Sequence, residues 1–305
     1  MKKIVGLILS LALFVSFCAC SAEESGSTPS EAPAPSEVPV VSNAGSDKVE
    51  TKEPEQLSDE TVENQVLCDE SGVKITATGL DKEGLFGPEL KVQIENNTEK
   101  KLTFQSRNAS VNGYMVETMF SADVAPGKKA NDSITFSSSS LQACGIETLA
   151  DMEFSFHVFD DSWETYLDTN TVQIKTSASD SYVYSFDDSG EELYSGNGIR
   201  IVSKGISDED SIFGPSLVVF IENKSGKNVT IQTRDTSANG FMMDAIFSAE
   251  ICDGKYAIDG ITFMNSSIEE NGIESIEEIE CSFHIFGTDD WETIEDTESI
   301  VVKAK

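Results

Sequence analysis

The sequence predicts an all-β chain: two tandem antiparallel β-sandwich domains of seven to eight strands each, one short helix in each, after a signal peptide and a disordered linker. Three observations predict it. Short apolar runs alternate with polar residues at period two. Turn residues separate those runs at the spacing of a sandwich. And one long stretch of the chain is written twice.

The first element is the leader. Met1-Lys2-Lys3 is a positively charged start, and Ile4 to Phe17 is an uncharged apolar run of the length of a secretory signal rather than a spanning helix. The run ends in Phe17-Cys18-Ala19-Cys20-Ser21, which resembles the bacterial lipobox. Cys20 follows a small residue, whereas Cys18 follows bulky Phe17. The resemblance implies cleavage after residue 19, a diacylglyceryl group on Cys20, and anchoring on the outer face of the cell membrane by acyl chains. No later stretch is apolar enough to span a bilayer.

Residues 20–65 form the second element. Five of the eight prolines lie there (Pro29, Pro33, Pro35, Pro39 and Pro54), with many Ser, Ala and Glu. Such composition buries too little apolar surface to fold, and its acidic excess favours an extended tether.

The two copies follow. Phe86 to Phe159 aligns without a gap onto Phe213 to Phe286, with 36 of 74 positions identical, far beyond chance. Gly87-Pro88 returns as Gly214-Pro215, Ile94-Glu95-Asn96 as Ile221-Glu222-Asn223, and Asn112-Gly113 as Asn239-Gly240. Further on, Gly145-Ile146-Glu147 returns as Gly272-Ile273-Glu274, while Trp163-Glu164-Thr165 returns one residue out of phase as Trp291-Glu292-Thr293. Domains are expected over 66–176 and 193–305. The segment 177–192 is an acidic linker whose Tyr182, Tyr184 and Phe186 suit docking against a domain.

Within each copy the strands read directly. Val92 and Ile94 alternate with Lys91, Gln93 and Glu95; Leu102 and Phe104 alternate with Thr103, Gln105 and Arg107; Phe154, Phe156 and Val158 alternate with Ser155, His157 and Phe159. Asn112-Gly113 predicts a type I′ hairpin, which needs positive φ at both central residues. Ala125-Pro126-Gly127-Lys128 predicts a second turn. Ser267-Ile268-Glu269-Glu270 predicts a capping box, and Asn271-Gly272 a left-handed stop to the same helix.

The pattern GP-x-L, IEN, NG-[YF]-M, FSA, GK-x-A, GIE and FSFHVF, present in both copies, resembles the immunoglobulin-like (Ig-like) domains of unknown function found in surface lipoproteins of Gram-positive bacteria. The resemblance covers about two thirds of the chain. It implies an Ig-like sandwich displayed outside the cell, without established catalysis or cofactor. The inter-sheet Cys-Trp-Cys spacing of antibody domains is missing.

Four cysteines lie beyond the leader: Cys68, Cys144, Cys252 and Cys281. An exported protein permits disulfides, so one bridge per copy, Cys68 with Cys144 and Cys252 with Cys281, is one reading. Buried free thiols are the other, and the non-equivalent positions in the two copies show that the shared fold does not require bridges. No Cys/His spacing predicts a metal.

Composition sorts the function classes. With 305 residues and a formal net charge of -33, the 21 basic residues face 54 acidic ones, which disfavours nucleic acid as a partner. No nucleophile elbow, P-loop or Gly-rich nucleotide loop is present, and catalysis is not expected. The acidic loops Asp81-Lys82-Glu83, Asp208-Glu209-Asp210, Asp160-Asp161 and Asp289-Asp290 lack the ligand spacing of an EF-hand. No metal or cofactor is expected. The candidate binding face is the outer side of the strands carrying Gln105, Arg107, His157 and Phe159, repeated as Gln232, Arg234, His284 and Phe286. That mixed polar and aromatic surface suits a protein or glycan partner; the alternatives are a spacer or an accessory subunit of a membrane complex.

Overall fold

A computed structural model describes residues 60–207 and 213–303 of the chain. The leader, Cys20, the tether before residue 60 and the loop Asp208-Glu209-Asp210 lie outside the described residues. Both copies belong to one compact unit.

The first copy runs β1 (Gln65–Glu70), β2 (Val73–Asp81), β3 (Glu89–Asn96), β4 (Leu102–Val111), β5 (Tyr114–Met115), β6 (Thr118–Met119), β7 (Ser121–Val124), β8 (Lys128–Phe136), α1 (Ser138–Ala143), β9 (Asp151–Asp160), β10 (Thr165–Asp168) and β11 (Val172–Lys175). One sheet has the order β1-β2-β3-β8-β6. In the facing sheet β7 and β9 flank β4, and β10 and β11 follow one another along the far side of β9. Every ladder within the copy is antiparallel. This division of strands between two sheets is that of an Ig-like sandwich.

The second copy repeats it as β12 (Glu191–Gly196), β13 (Ile199–Ser207), β14 (Ser216–Asn223), β15 (Val229–Ala238), β16 (Phe241–Met242), β17 (Ala245–Ile246), β18 (Ser248–Ile251), β19 (Tyr256–Phe263), α2 (Asn265–Glu270), β20 (Glu278–Gly287), β21 (Thr293–Asp296) and β22 (Ile300–Lys303). Among the described residues each copy has eleven strands, more than the seven to eight expected. The surplus comes from strands of two to four residues: a detour between β4 and β8, and a final edge broken into two pieces. Runs that short carry no periodicity to read.

The alternation seen in the sequence becomes the core. Ile75, Val92 and Ile94 of one sheet meet Phe104, Phe154 and Phe156 of the other, all essentially inaccessible to water. Ile201, Val219 and Ile221 meet Ile231, Phe283 and Ile285 in the second copy. Each such side chain contributes on the order of 1.5–3 kcal/mol on burial.

Two repeated motifs prove to be backbone devices. Asn96, at the end of β3, is fully buried; its Nδ2 donates to the carbonyls of Lys100 and Val124 at 2.8 Å. Its Oδ1 accepts from the Thr98 N–H at 3.0 Å and the Thr98 hydroxyl at 2.7 Å. Asn223 does the same with the carbonyls of Lys227 and Ile251 and with Ser225. The Gly-Pro motif sits where the chain enters β3 or β14. Gly87 and Gly214 have φ of 138° and 137°, and a Cβ there would lie 1.9 Å and 2.0 Å from the carbonyl oxygens of Phe136 and Phe263. Only glycine fits.

The turn predictions hold. Asn112 and Gly113 have φ of 51° and 88° and join β4 to β5 with Val111 opposite Tyr114. The Ala125 carbonyl accepts from the Lys128 N–H at 3.1 Å. The capping box does not: α2 begins at Asn265 after Met264 without a side-chain cap, so Ser267 lies inside the helix. A three-residue spacing in a Ser- and Glu-rich segment fits more than one starting point. Gly272 at φ 63° does supply the left-handed stop.

The start of the folded part also differs from expectation. Glu60 and Val62, placed in the tether by composition, are buried in the first copy. Glu60 accepts from Lys82 Nζ at 2.9 Å and from the Leu149 N–H at 3.0 Å, partners too remote in sequence for composition to reveal. At the other end of the copy, the linker stops at Gly190 because β12 already starts at Glu191.

Aromatic docking of the linker is met by Phe186. Its ring stacks on Tyr256 at 3.9 Å and meets Tyr114 at 5.3 Å. Beside it Tyr114 and Tyr256 form a single parallel bridge between β5 and β19, and Lys255 pairs with Glu153 at 2.7 Å. The joint between the copies is therefore apolar at its centre and ionic at its edge.

All four cysteines are free thiols, so the pairing of Cys68 with Cys144 and Cys252 with Cys281 is not formed. Cys68 is buried on β1, whereas Cys144 ends α1 against Ile258 and Asp259 of the second copy. Cys281 faces the core from β20, and Cys252 lies in the turn after β18. Burial pushes the thiols of Cys144, Cys252 and Cys281 up to about 11, as expected of inert packing groups.

Candidate docking face

The face predicted from alternation is assembled by strand register. Gln105 on β4 stands opposite His157 on β9, and Thr103 opposite Phe159. Asp168 on β10 stands on the other side of His157. In the second copy Gln232 is opposite His284, Thr230 opposite Phe286, and Asp296 beside His284. Arg107 and Arg234 come last before a β-bulge in β4 and β15. The residue after each, Asn108 or Asp235, has φ of 55° or 51°, and such a bulge redirects the strand next to it.

Polar neighbours fix the side chains. His157 Nδ1 lies 2.5 Å from Asp168 Oδ1, and His284 Nδ1 lies 2.6 Å from Asp296 Oδ1. Arg107 donates to Gln105 Oε1 at 2.8 Å. Arg234 instead reaches Asp296 at 3.4 Å, and Gln232 donates to the Ser248 hydroxyl at 3.3 Å. The imidazole thus sits between a carboxylate and an aromatic ring: His157 meets Phe159 at 5.4 Å and His284 meets Phe286 at 5.0 Å.

Phe159 and Phe286 are not the aromatic surface offered to solvent. They are only 7% and 5% exposed, because Trp163 and Trp291 lie over them. The indoles stack on the Phe rings at 5.2 Å and 5.4 Å, inclined by only 14° and 17°. The tryptophans themselves are 81% and 68% exposed. In the sequence both stand only as landmarks of the repeat. The signal available was a Trp in an acidic turn with no apolar neighbour to bury it.

Both tryptophans are held in the left-handed region, at φ 62° and 59°, where a bulky residue is strained by roughly 1–3 kcal/mol. In the first copy Asp160 holds the turn. Its Oδ1 accepts from the N–H groups of Ser162 and Glu164 at 3.0 and 3.3 Å, its Oδ2 pairs with Lys100 at 2.6 Å, and its carbonyl accepts from the Trp163 N–H at 2.9 Å. In the second copy one extra residue splits those duties. The Gly287 carbonyl accepts from the Trp291 N–H at 2.9 Å, while Asp290 takes the Glu292 N–H at 3.1 Å and pairs with Lys227 at 2.7 Å. Asp290 folds so close that a Cβ on Gly287 would lie 2.2 Å from its Oδ1, which explains glycine there. The hydrogen bonds from Lys100 and Lys227 hold Asp160 and Asp290 below the ordinary carboxylate range. Asp160 and Asp290 are turn-formers, and among the described residues no cluster of acidic, Cys or His side chains has the geometry of a metal site.

No family model matches the chain, and no curated protein matches it. Among solved structures it is similar to a Salmonella enterica SafA pilin in complex with the SafB chaperone, at 8% identity over 70% of this chain and 88% of that one, with a TM-score of 0.19. A superposition that loose does not bear on function.

Proposed function

We propose that the chain is an exported protein, lipid-anchored through Cys20, that displays two Ig-like modules of the kind found in Gram-positive surface lipoproteins and acts by binding through the two tryptophan faces rather than by chemistry. The observation that carries this reading is the indole held in a strained, solvent-exposed position in both copies, through different residues in each. Exposure and strain both cost free energy. A partner that covers the indole recovers part of it, since Trp is the side chain most enriched at binding hot spots. A second reading, a spacer or accessory subunit, is supported by the Phe186 joint, which stiffens the pair.

The two readings separate on tryptophan variants. Binding predicts that, for chain added from solution without its acyl anchor, Trp163→Ala and Trp291→Ala each weaken retention on isolated Gram-positive cell envelopes by about 10-fold, a hot-spot loss of about 1.4 kcal/mol or more. The melting temperature should shift by no more than about 2 °C, as for an exposed site. Unchanged retention with a melting temperature lowered by several times that amount would make the indoles structural lids.

A further inference from the structure

The chemistry around the two indoles is specific enough to name a class of ligand. Each indole is stacked, offset, on a Phe ring nearly parallel to it and keeps most of its surface exposed, so it offers a flat open π-face. A flat open π-face accepts the C–H face of a saturated ring through dispersion and the ring quadrupole. Along the same face, two residues from the Phe beneath the indole, runs a row of planar polar groups, Gln105, His157 and Asp168 in one copy and Gln232, His284 and Asp296 in the other, with Arg107 or Arg234 two residues further. Paired donors and acceptors of this kind match vicinal hydroxyls.

Three competing ligand classes fit less well. A protein interface has an apolar core depleted of charge, whereas here a single Trp stands among polar residues. An anionic polymer meets the exposed Asp161 and Glu164 in one copy and Glu292 in the other, on a chain of net charge -33, and is repelled. A quaternary ammonium is held by an aromatic cage, and here the second ring lies beneath the first rather than beside it.

We propose that each tryptophan face binds an uncharged polysaccharide, the indole stacking on one pyranose ring and the amide, carboxylate and guanidinium groups further along the face taking hydroxyls of that ring and the next. This rests on the docking reading above and narrows it to one ligand class. Two faces on one chain let a polymer engage both, which raises apparent affinity by roughly 10²–10⁴ over one contact where the span allows.

The chain carries only two tryptophans, one in each face, so tryptophan emission, excited at a wavelength that its six tyrosines do not absorb, reports the two sites. The test titrates the full chain with cellohexaose and mannohexaose, whose 1,4-linked rings carry a vicinal diol, with polygalacturonate as the anionic control. In parallel, envelopes are treated with periodate, which cleaves vicinal diols, or with protease. The expected result is a saturable change in emission with at least one neutral hexasaccharide and none with polygalacturonate. About half of that change should persist in Trp163→Ala or Trp291→Ala, and periodate but not protease should abolish envelope retention. Silent titrations, with Trp-dependent retention that protease removes and periodate spares, would overturn the saccharide assignment and leave docking standing. Silent titrations with no Trp-dependent retention would overturn both.

Discussion

Asn96→Ala is expected to destabilise the first copy by about 3–5 kcal/mol, because it leaves the buried Val124 carbonyl and the Thr98 N–H without their partner and the Lys100 carbonyl with the Thr98 hydroxyl alone, at about 1–3 kcal/mol for each orphaned group. For a folded unit of this size that lowers the melting temperature by roughly 10 °C or more. Asn223→Ala, with the matching bonds in the second copy, should cost as much. Asn96→Leu separates the causes. If the side chain only filled space, leucine would restore stability; if it satisfies backbone groups, leucine should be as damaging as alanine. Thermal melts of the three variants decide between them.

Gly87→Ala is expected to cost more than any surface substitution in the chain. The added Cβ would lie 1.9 Å from the Phe136 carbonyl oxygen and 2.9 Å from the Ser138 nitrogen, at a φ of 138°. Backbone atoms on both sides belong to the β3/β8 pairing and the start of α1, so nothing flexible can give way. A loss above about 4 kcal/mol follows from such a clash, enough to leave the first copy unfolded at moderate denaturant. Gly127→Ala is the internal control. Its φ is also positive, at 66°, but nothing lies within 4 Å of the added atom, and its cost should be about 1 kcal/mol. Urea midpoints that rank the two variants the other way would refute the steric account.

Much of the fold was legible in the residues. The period of two in Phe154, Phe156 and Val158 placed those side chains in the core, and Asn112-Gly113 specified its hairpin through the two positive φ angles that this pair readily adopts. The shared face of Gln105 and His157 also followed, since alternation gives the side of the strand and Ig-like order makes β4 and β9 neighbours. What escaped was whatever depends on contacts distant in sequence. Glu60 reads as part of an acidic tail, and only the approach of Lys82 and Leu149 makes it a buried anchor. Trp163 and Trp291 read as markers of the repeat, because the turn that lifts each indole over its Phe is held by a lysine some sixty residues away in sequence. The phase slip before Trp291 was visible, but its meaning was not: an aspartate displaced along the chain performs the same task from a new position.

That convergence on one geometry is the centre of the account, and it is tested without any ligand by acrylamide quenching of the native chain. Both indoles stand largely open to water, so emission should lie near that of solvated tryptophan, and the quenching constant should change by less than about twofold on unfolding in urea, given exposures of 81% and 68%. Blue-shifted emission that resists acrylamide in the folded chain and becomes accessible only on denaturation would mean that the tryptophans are covered, and the docking faces would not exist.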